Sequence, residues 1–352
     1  DEACYRQFYE EAISLCRQKR FHEALEKCRY TSLDDEEEYS IDVIQPEKIE
    51  FKQNSYEDGE NSIISFPEFL LLVLDVCTGG EQPASHYQPD KLIEKFDALK
   101  TYFTAGEFYE KMLYYRLLLD YYTIRKDIKD GQGNYSLILK GPKDDSDKLK
   151  QYQSMLYVST EAFYNWLKPY LRKLEQDELH SCAEMLAFLK KGDNERHSIL
   201  PARKDLSYKA SGNIRYWFWR LDYYLWEQRS TFFNEEEQKI VEHYVFRRNR
   251  SIEHLHPQDE SHNEEWEEEA VHSFGNLAMI SQSFNSQQSN DHIQIKFARI
   301  HEQISNKSLQ SIKMFLMCKL ADFNYQNWTM KLAKEHENEM IEFLERSFYI
   351  SD

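Results

Sequence analysis

The 352-residue sequence predicts a mainly helical fold that closes with one small ββα unit. Three observations carry this. Breakers are scarce, with 10 Gly and 8 Pro over the whole length, too few for a turn-rich sandwich or barrel. Apolar residues recur at helical spacing through most of the chain, among abundant Leu, Glu, Lys and Tyr. Only past residue 247 does the pattern change to strand, turn, strand, helix. A hydrophobic content of 41% and an aromatic content of 14% belong to a chain that buries a core.

Taken in order, residues 3–28 place Tyr5, Phe8, Tyr9, Ala12, Leu15, Phe21, Ala24 and Leu25 at amphipathic spacing, a helical hairpin or one long helix. Beyond the acidic run Asp34–Glu38, Ile41, Val43, Ile44, Ile49 and Phe51 suggest a short extended excursion around Pro46. Ser65-Phe66-Pro67-Glu68 reads as a helix start, and that helix stops at Gly79-Gly80. Another helix follows Pro89, and a strongly aromatic one covers 107–126. Asp130–Asn134 is a turn into a strand at 135–139; lacking GK[ST] or GxGxxG, it is no phosphate loop. Helices are expected over 146–173 and 176–191, then a loop over 192–210 bearing Arg203, Lys204 and Lys209. Ile214–Trp226 is apolar on nearly every side, which marks a central helix. Its Trp217, Trp219 and Trp226 turn to several faces, a pattern of core packing rather than of a base-stacking platform. The expected organisation is a helical body over 1–240 and a C-terminal module over 241–352.

The net charge of −18 argues against a non-specific nucleic-acid binder, because phosphates are held mainly by Lys and Arg. That value is an average. Acid concentrates in Asp34–Glu60 and in Asp259–Glu269, where seven carboxylates stand without a Lys or Arg. A locally basic cleft is compatible with such a surface. The six cysteines show no CxxC pair and read as small buried thiols of a reducing cytoplasm. No secretory signal and no apolar run near ~18–20 residues is present, so no membrane span is expected. The chain opens at Asp1 without Met, as a processed or trimmed chain or the C-terminal piece of a longer polypeptide would.

Chemistry concentrates after Arg247. Ser251–Leu255 reads as a short strand running into Pro257, Gly275-Asn276 as a turn, Leu277–Ile280 as a second strand, and His292–Ile304 as a helix behind a polar loop holding Asn285. Pleating sends the neighbours Glu253 and His254 to opposite faces, which a kink into Pro257 would relieve. These residue types suit phosphodiester hydrolysis. A neutral His with an ordinary pKa near ~6.5 can take a proton from water, and a carboxylate with an amide oxygen can hold one hard cation. Arg248, Arg250 and Lys296 could grip flanking phosphates. His256 and His272 read as turn residues or phosphate contacts.

Glu-His-Leu-His-Pro-Gln (253–258), Phe-Gly-Asn-Leu (274–277) and Phe-Asn-Ser-Gln-Gln-Ser-Asn (284–290) together resemble the HNH-like (His-Me finger) nuclease domain of the GmrSD family of modification-dependent, type IV restriction endonucleases. The resemblance runs from about Arg247 to the C-terminus, and the helix 211–227 is typical of what precedes that domain. It implies a ββα-metal nuclease module with trailing C-terminal helices. It also assigns roles. His254 matches the general base, Glu253 the acidic metal ligand, Asn276 the middle Asn that ties down the hairpin turn, and Asn285 the last metal ligand. Two departures stand out, Glu253 where many HNH enzymes have Asp, and Asn285 in place of a final His. A nucleotide-binding ParB-like sensor domain, usual in the family, has no counterpart motif here; the resemblance puts it on a missing N-terminal portion or on a partner chain. The implied activity is Mg²⁺-dependent cleavage of foreign, modified DNA in cytoplasmic phage defence, with Mn²⁺ as a substitute ion and a second copy of the chain as a conceivable further partner. The alternatives are an interaction scaffold carrying an inactive nuclease remnant, and a nuclease acting on RNA.

Overall fold

A computed structural model describes residues 2–30, 59–128, 135–144, 146–159, 161–248, 250–258, 266–281 and 293–349. The described residues are mainly helical and contain two small antiparallel sheets. Contacts divide the chain into two units. One comprises Asp1–Lys150 with Ala162–Met185, the other Gln151–Glu161 with Leu186–Asp352.

In the first unit α1 (Glu2–Arg17) and α2 (Phe21–Tyr30) form the hairpin, rather than the one long helix, of the two forms the spacing allowed, turned at Lys19 with φ of 59°. Strand β1 (Gly59–Ser62) precedes α3 (Phe66–Cys77), which opens where the sequence places it, on a capping box between Ser65 and Glu68. Helix α4 (Leu92–Leu99) follows Pro89, and α5 (Ala105–Tyr122) starts on a second capping box, Thr104 with Glu107. The sequence reading runs α5 on to 126, whereas the chain leaves it at Thr123. The β-branched pair Thr123-Ile124 suits extended backbone, and Arg125–Ile128 becomes β2, the central strand between β1 and β3 (Tyr135–Ile138). The excursion read around Pro46 lies outside the described residues.

The single helix expected over 146–173 is two, α6 (Ser146–Val158) and α7 (Phe163–Glu175). At the break the Ser159 hydroxyl donates back to Leu156 O at 2.7 Å, the local bond with which serine competes against the next helical turn. Helix α8 (Cys182–Arg196) follows, and the division between the units falls inside α6 and α8.

The second unit is built on α9 (Ile214–Glu227), buried at every position from Tyr216 to Trp226. The three tryptophans are among those buried residues, which makes them core and not a stacking surface. The sequence reading set a boundary near 240; by contacts this helix groups with the residues after it. One tie between them is polar. Arg220 sits on α9 with no exposure, and a buried guanidinium must find partners. It finds Asp193 (3.2 Å) and Asn194 Oδ1 (2.8 Å) on α8, and Ser347 Oγ (3.0 Å) near the C-terminus. Next along the chain come α10 (Arg229–Phe232), α11 (Glu235–Val241), β4 (Arg250–His254), α12 (Glu268–Val271), β5 (Leu277–Ser281), α13 (Ile293–Ser305), α14 (Ile312–Leu320) and α15 (Met330–Arg346). No helix among the described residues is long and apolar enough to cross a membrane.

Candidate active site

Strands β4 and β5 pair antiparallel, Glu253 opposite Ala278 and His254 opposite Leu277, within a residue of the strands read from the sequence. Between them Phe274–Asn276 forms one turn of 3-10 helix. Asn276 is wholly buried, and all of its side-chain polar atoms are engaged. Its Oδ1 accepts from His256 N (2.8 Å) and Trp328 Nε1 (3.2 Å), while its Nδ2 donates to His256 O (3.0 Å) and Val271 O (2.9 Å). The side chain therefore clamps the chain just past His254 to the start of β5. Gly275 beside it admits α15: a Cβ there would lie 2.1 Å from Ala333 O. Lys313, buried on α14, donates to Phe274 O (2.8 Å) and Leu277 O (2.7 Å), which fixes the same turn from beneath.

His254 follows Glu253 on β4, and both are buried. Their side chains have separate partners, as pleating requires. The His254 ring meets His272, Nε2 to Nδ1 at 3.0 Å, and Gln258 Nε2 lies 2.9 Å from His254 Nδ1. With the Gln258 amide donating to Nδ1, neutral His254 carries its proton on Nε2 and donates it to His272. Burial, followed by repulsion from His272 when that ring is protonated and from Lys296, pushes His254 down to about 3. Burial also lowers His272, helped by Lys209 and opposed by Glu268. Both imidazoles are thus neutral near pH 7.

The Glu253 carboxylate takes another route. Lys296, on the first turn of α13, pairs with its Oε1 at 2.5 Å and also donates to His254 O. This departs from the expectation that Lys296 reaches out to a phosphate. Ile293, Lys296, Phe297 and Ile300 form one buried stripe of α13, so the helix turns Lys296 inward. Glu253 Oε1 and the His254 carbonyl oxygen converge on one positive charge. That donor set is the oxygen type a hard cation selects. The second expected ligand, Asn285, lies outside the described residues, and among the described residues no group of three or more His, Cys, Asp or Glu could hold a metal ion.

The remaining expected contacts are dispersed. Arg248 lays its guanidinium over the Tyr157 ring, 4.1 Å from the centroid, and donates twice to Tyr157 O. Arg250 opens β4. His256 is buried in the turn with its ring stacked on Trp266, centroids 4.1 Å apart.

Two neighbours of His254 escaped the sequence reading. The half-exposed Tyr208 ring stands edge-on to His254 at 4.6 Å, and Tyr208 N donates to His272 O at 3.0 Å. Lys209, ion-paired with Glu268, holds that loop down. Nothing in the spacing of a loop read only for its basic residues signals this. Gln258 stood within the quoted motif without a role.

Residues 194–343 match the model of the family described as GmrSD restriction endonucleases, C-terminal domain. The resemblance read from the sequence is thereby shown, over a longer stretch than the motifs alone span. The GmrSD C-terminal match takes in α9, both strands of the candidate site and most of α15. Glu253, His254, Asn276 and Lys296 all fall inside it. No curated protein and no solved structure matches the chain.

Proposed function

We propose that this chain is a divalent-metal-dependent endonuclease that cuts foreign, modified DNA, with His254 as general base. The observation that carries the reading is the setting of His254. It is a neutral imidazole, clamped by Asn276 through the neighbouring turn, on the same strand end as an oxygen pair that holds a cation, inside a GmrSD C-terminal match. A neutral imidazole can accept the proton of an attacking water. In this closed arrangement it is a weak base. A phosphodiester brought to its edge would offset the positive charge of Lys296 and raise its basicity. The lone pair that takes the water's proton is on Nδ1, once the attacking water replaces the Gln258 amide there, while Nε2 keeps its own proton bonded to His272. Glu253, with Asn285, would hold Mg²⁺, or Mn²⁺ in its place. When bound there, the ion supplies charge neutralisation at the phosphate and eases departure of the 3′ oxygen. Arg248, Arg250 and His272 are the side chains proposed to touch DNA, while the buried His256 shapes the turn; a nucleotide-binding sensor domain, in cis or on a partner, would license cutting in the cytoplasm.

The test incubates the protein, together with its sensor, with modified and unmodified phage DNA, with RNA, and with Mg²⁺. His254→Ala is expected to abolish nicking while the circular dichroism spectrum stays unchanged. Undiminished cleavage by that variant would remove His254 from the mechanism. A second reading, an interaction scaffold with a silent nuclease remnant, draws on the engagement of Glu253 by Lys296. It predicts no Mg²⁺-dependent cleavage of any substrate.

A further inference from the structure

Lys296 holds a place that the proposed metal would need, and we propose that it is a tethered competitor: its ammonium occupies the Glu253 seat until a divalent cation displaces it. The inference rests on the reading of Glu253 as a metal ligand and extends it to a residue with no part in that reading. Lys296 is 4% exposed, and its Nζ bridges Glu253 Oε1 and His254 O. A lysine head group is a compact point charge on a four-carbon stem with three rotatable donors, able to leave a carboxylate without moving the helix that bears it. Two cations cannot share one carboxylate oxygen and one carbonyl in a buried site without strong repulsion. The ion therefore binds only as the ammonium departs, and its apparent affinity falls by the fraction of molecules in which the seat is open. Such an arrangement keeps a buried carboxylate neutralised when the site holds no metal, and couples metal loading to a movement at the first turn of α13.

The probe is Mn²⁺, followed by the electron paramagnetic resonance signal of the free ion, a readout independent of cleavage. Wild-type protein, Lys296→Met, Glu253→Gln and the double variant are titrated as intact chains. Removing the competitor is expected to tighten Mn²⁺ binding about tenfold or more, the gain that follows if the seat is open in about a tenth or less of wild-type molecules. Both variants lacking the Glu253 carboxylate should lose that binding. Equal affinity in wild type and Lys296→Met, with loss in Glu253→Gln, overturns the competition while leaving Glu253 a ligand. Absence of any Glu253-dependent binding overturns the competition and the metal assignment beneath it together.

Because Lys296→Met leaves a buried carboxylate without its cation, a second measurement uses only wild-type protein. Lysine acetylation is mapped by mass spectrometry with and without saturating Mn²⁺, with the buried Lys313 as internal reference. Labelling of Lys296 should rise at least severalfold with the metal while Lys313 stays protected. Protection of both lysines under saturation counts against displacement.

Discussion

At the scale of single residues, Asn276 concentrates the most interaction in the least volume. Two acceptor bonds and two donor bonds leave it from a site without solvent exposure. A typical hydrogen bond contributes about 1 kcal/mol net, and buried partners left unpaired cost more. Asn276→Ala is therefore expected to lower unfolding stability by about 3 kcal/mol, measured by urea titration. Asn276→Asp should do no better, since a carboxylate cannot donate to His256 O and Val271 O. If cleavage fell in Asn276→Ala with stability intact, Asn276 would be acting on substrate and not on the turn. Lys296 shows how the same scale can mislead. A lysine near a nuclease motif invites a phosphate, yet its position on an apolar stripe turned it inward.

Between elements, the contact that positions the site is the approach of α15 to the turn at Phe274–Asn276. Gly275 permits it: beyond the clash with Ala333 O, a Cβ would come within 2.8 Å of Glu337 Cβ. Because the opposing atoms are helix backbone and a Cβ, the helix must shift. Gly275→Ala should cost about 1–3 kcal/mol, the range for overpacking a close-packed interior. It should also broaden the amide resonances of residues 330–346 more than those of α9. An unchanged melting temperature in that variant would show that α15 adapts at no cost. Lys313 works on the same turn from α14, where burial pushes its ammonium down to about 7 against the pull of Asp222 and Glu337. Asp222 on α9 in turn accepts from Lys313 N at 2.8 Å, which places a carboxylate at the amino end of α14 where the helix dipole favours one.

For the molecule as a whole, acid should weaken both compact units. His86 in the first unit and His336 in the second are lowered, chiefly by burial, and among the described residues neither ring nitrogen of His336 has a hydrogen-bond partner. The unfolded chain protonates such groups near pH ~6.5 and the fold resists, so stability is complete above that pH and is lost as pH falls below it. Each imidazole kept neutral contributes a slope approaching about 1.4 kcal/mol per pH unit. Most carboxylates, with reference values near ~4, remain ionised down to about pH 5.5, so relief of the −18 charge does not compensate over that interval. The melting temperature at pH 5.5 should therefore lie several degrees below that at pH 7.5. His336→Phe should flatten the dependence for the second unit, and an identical slope in that variant would assign the acid sensitivity elsewhere.

Helical class, the starts of α3 and α9, and the strand pair holding Glu253 and His254 follow from patterns a few residues long: caps, glycine stops, apolar periodicity and a turn dipeptide. The family resemblance likewise exists along the chain before it folds, and the match over 194–343 shows it. Other features were decided only by three-dimensional packing. Residues 186–240 group with the C-terminal unit, where the buried Arg220 and Asp222 of α9 bond to Ser347 and to Lys313 N, demands set by burial and invisible to composition. Tyr208 reached His254 from 46 positions upstream, a distance no local pattern encodes. Lys296 closed on Glu253 from a helix that follows the second strand, because the rotation of that helix is set by the core against which its apolar stripe lies. Local propensity and motif order are properties of neighbouring residues. The partner of a buried charge is a property of the whole packed interior.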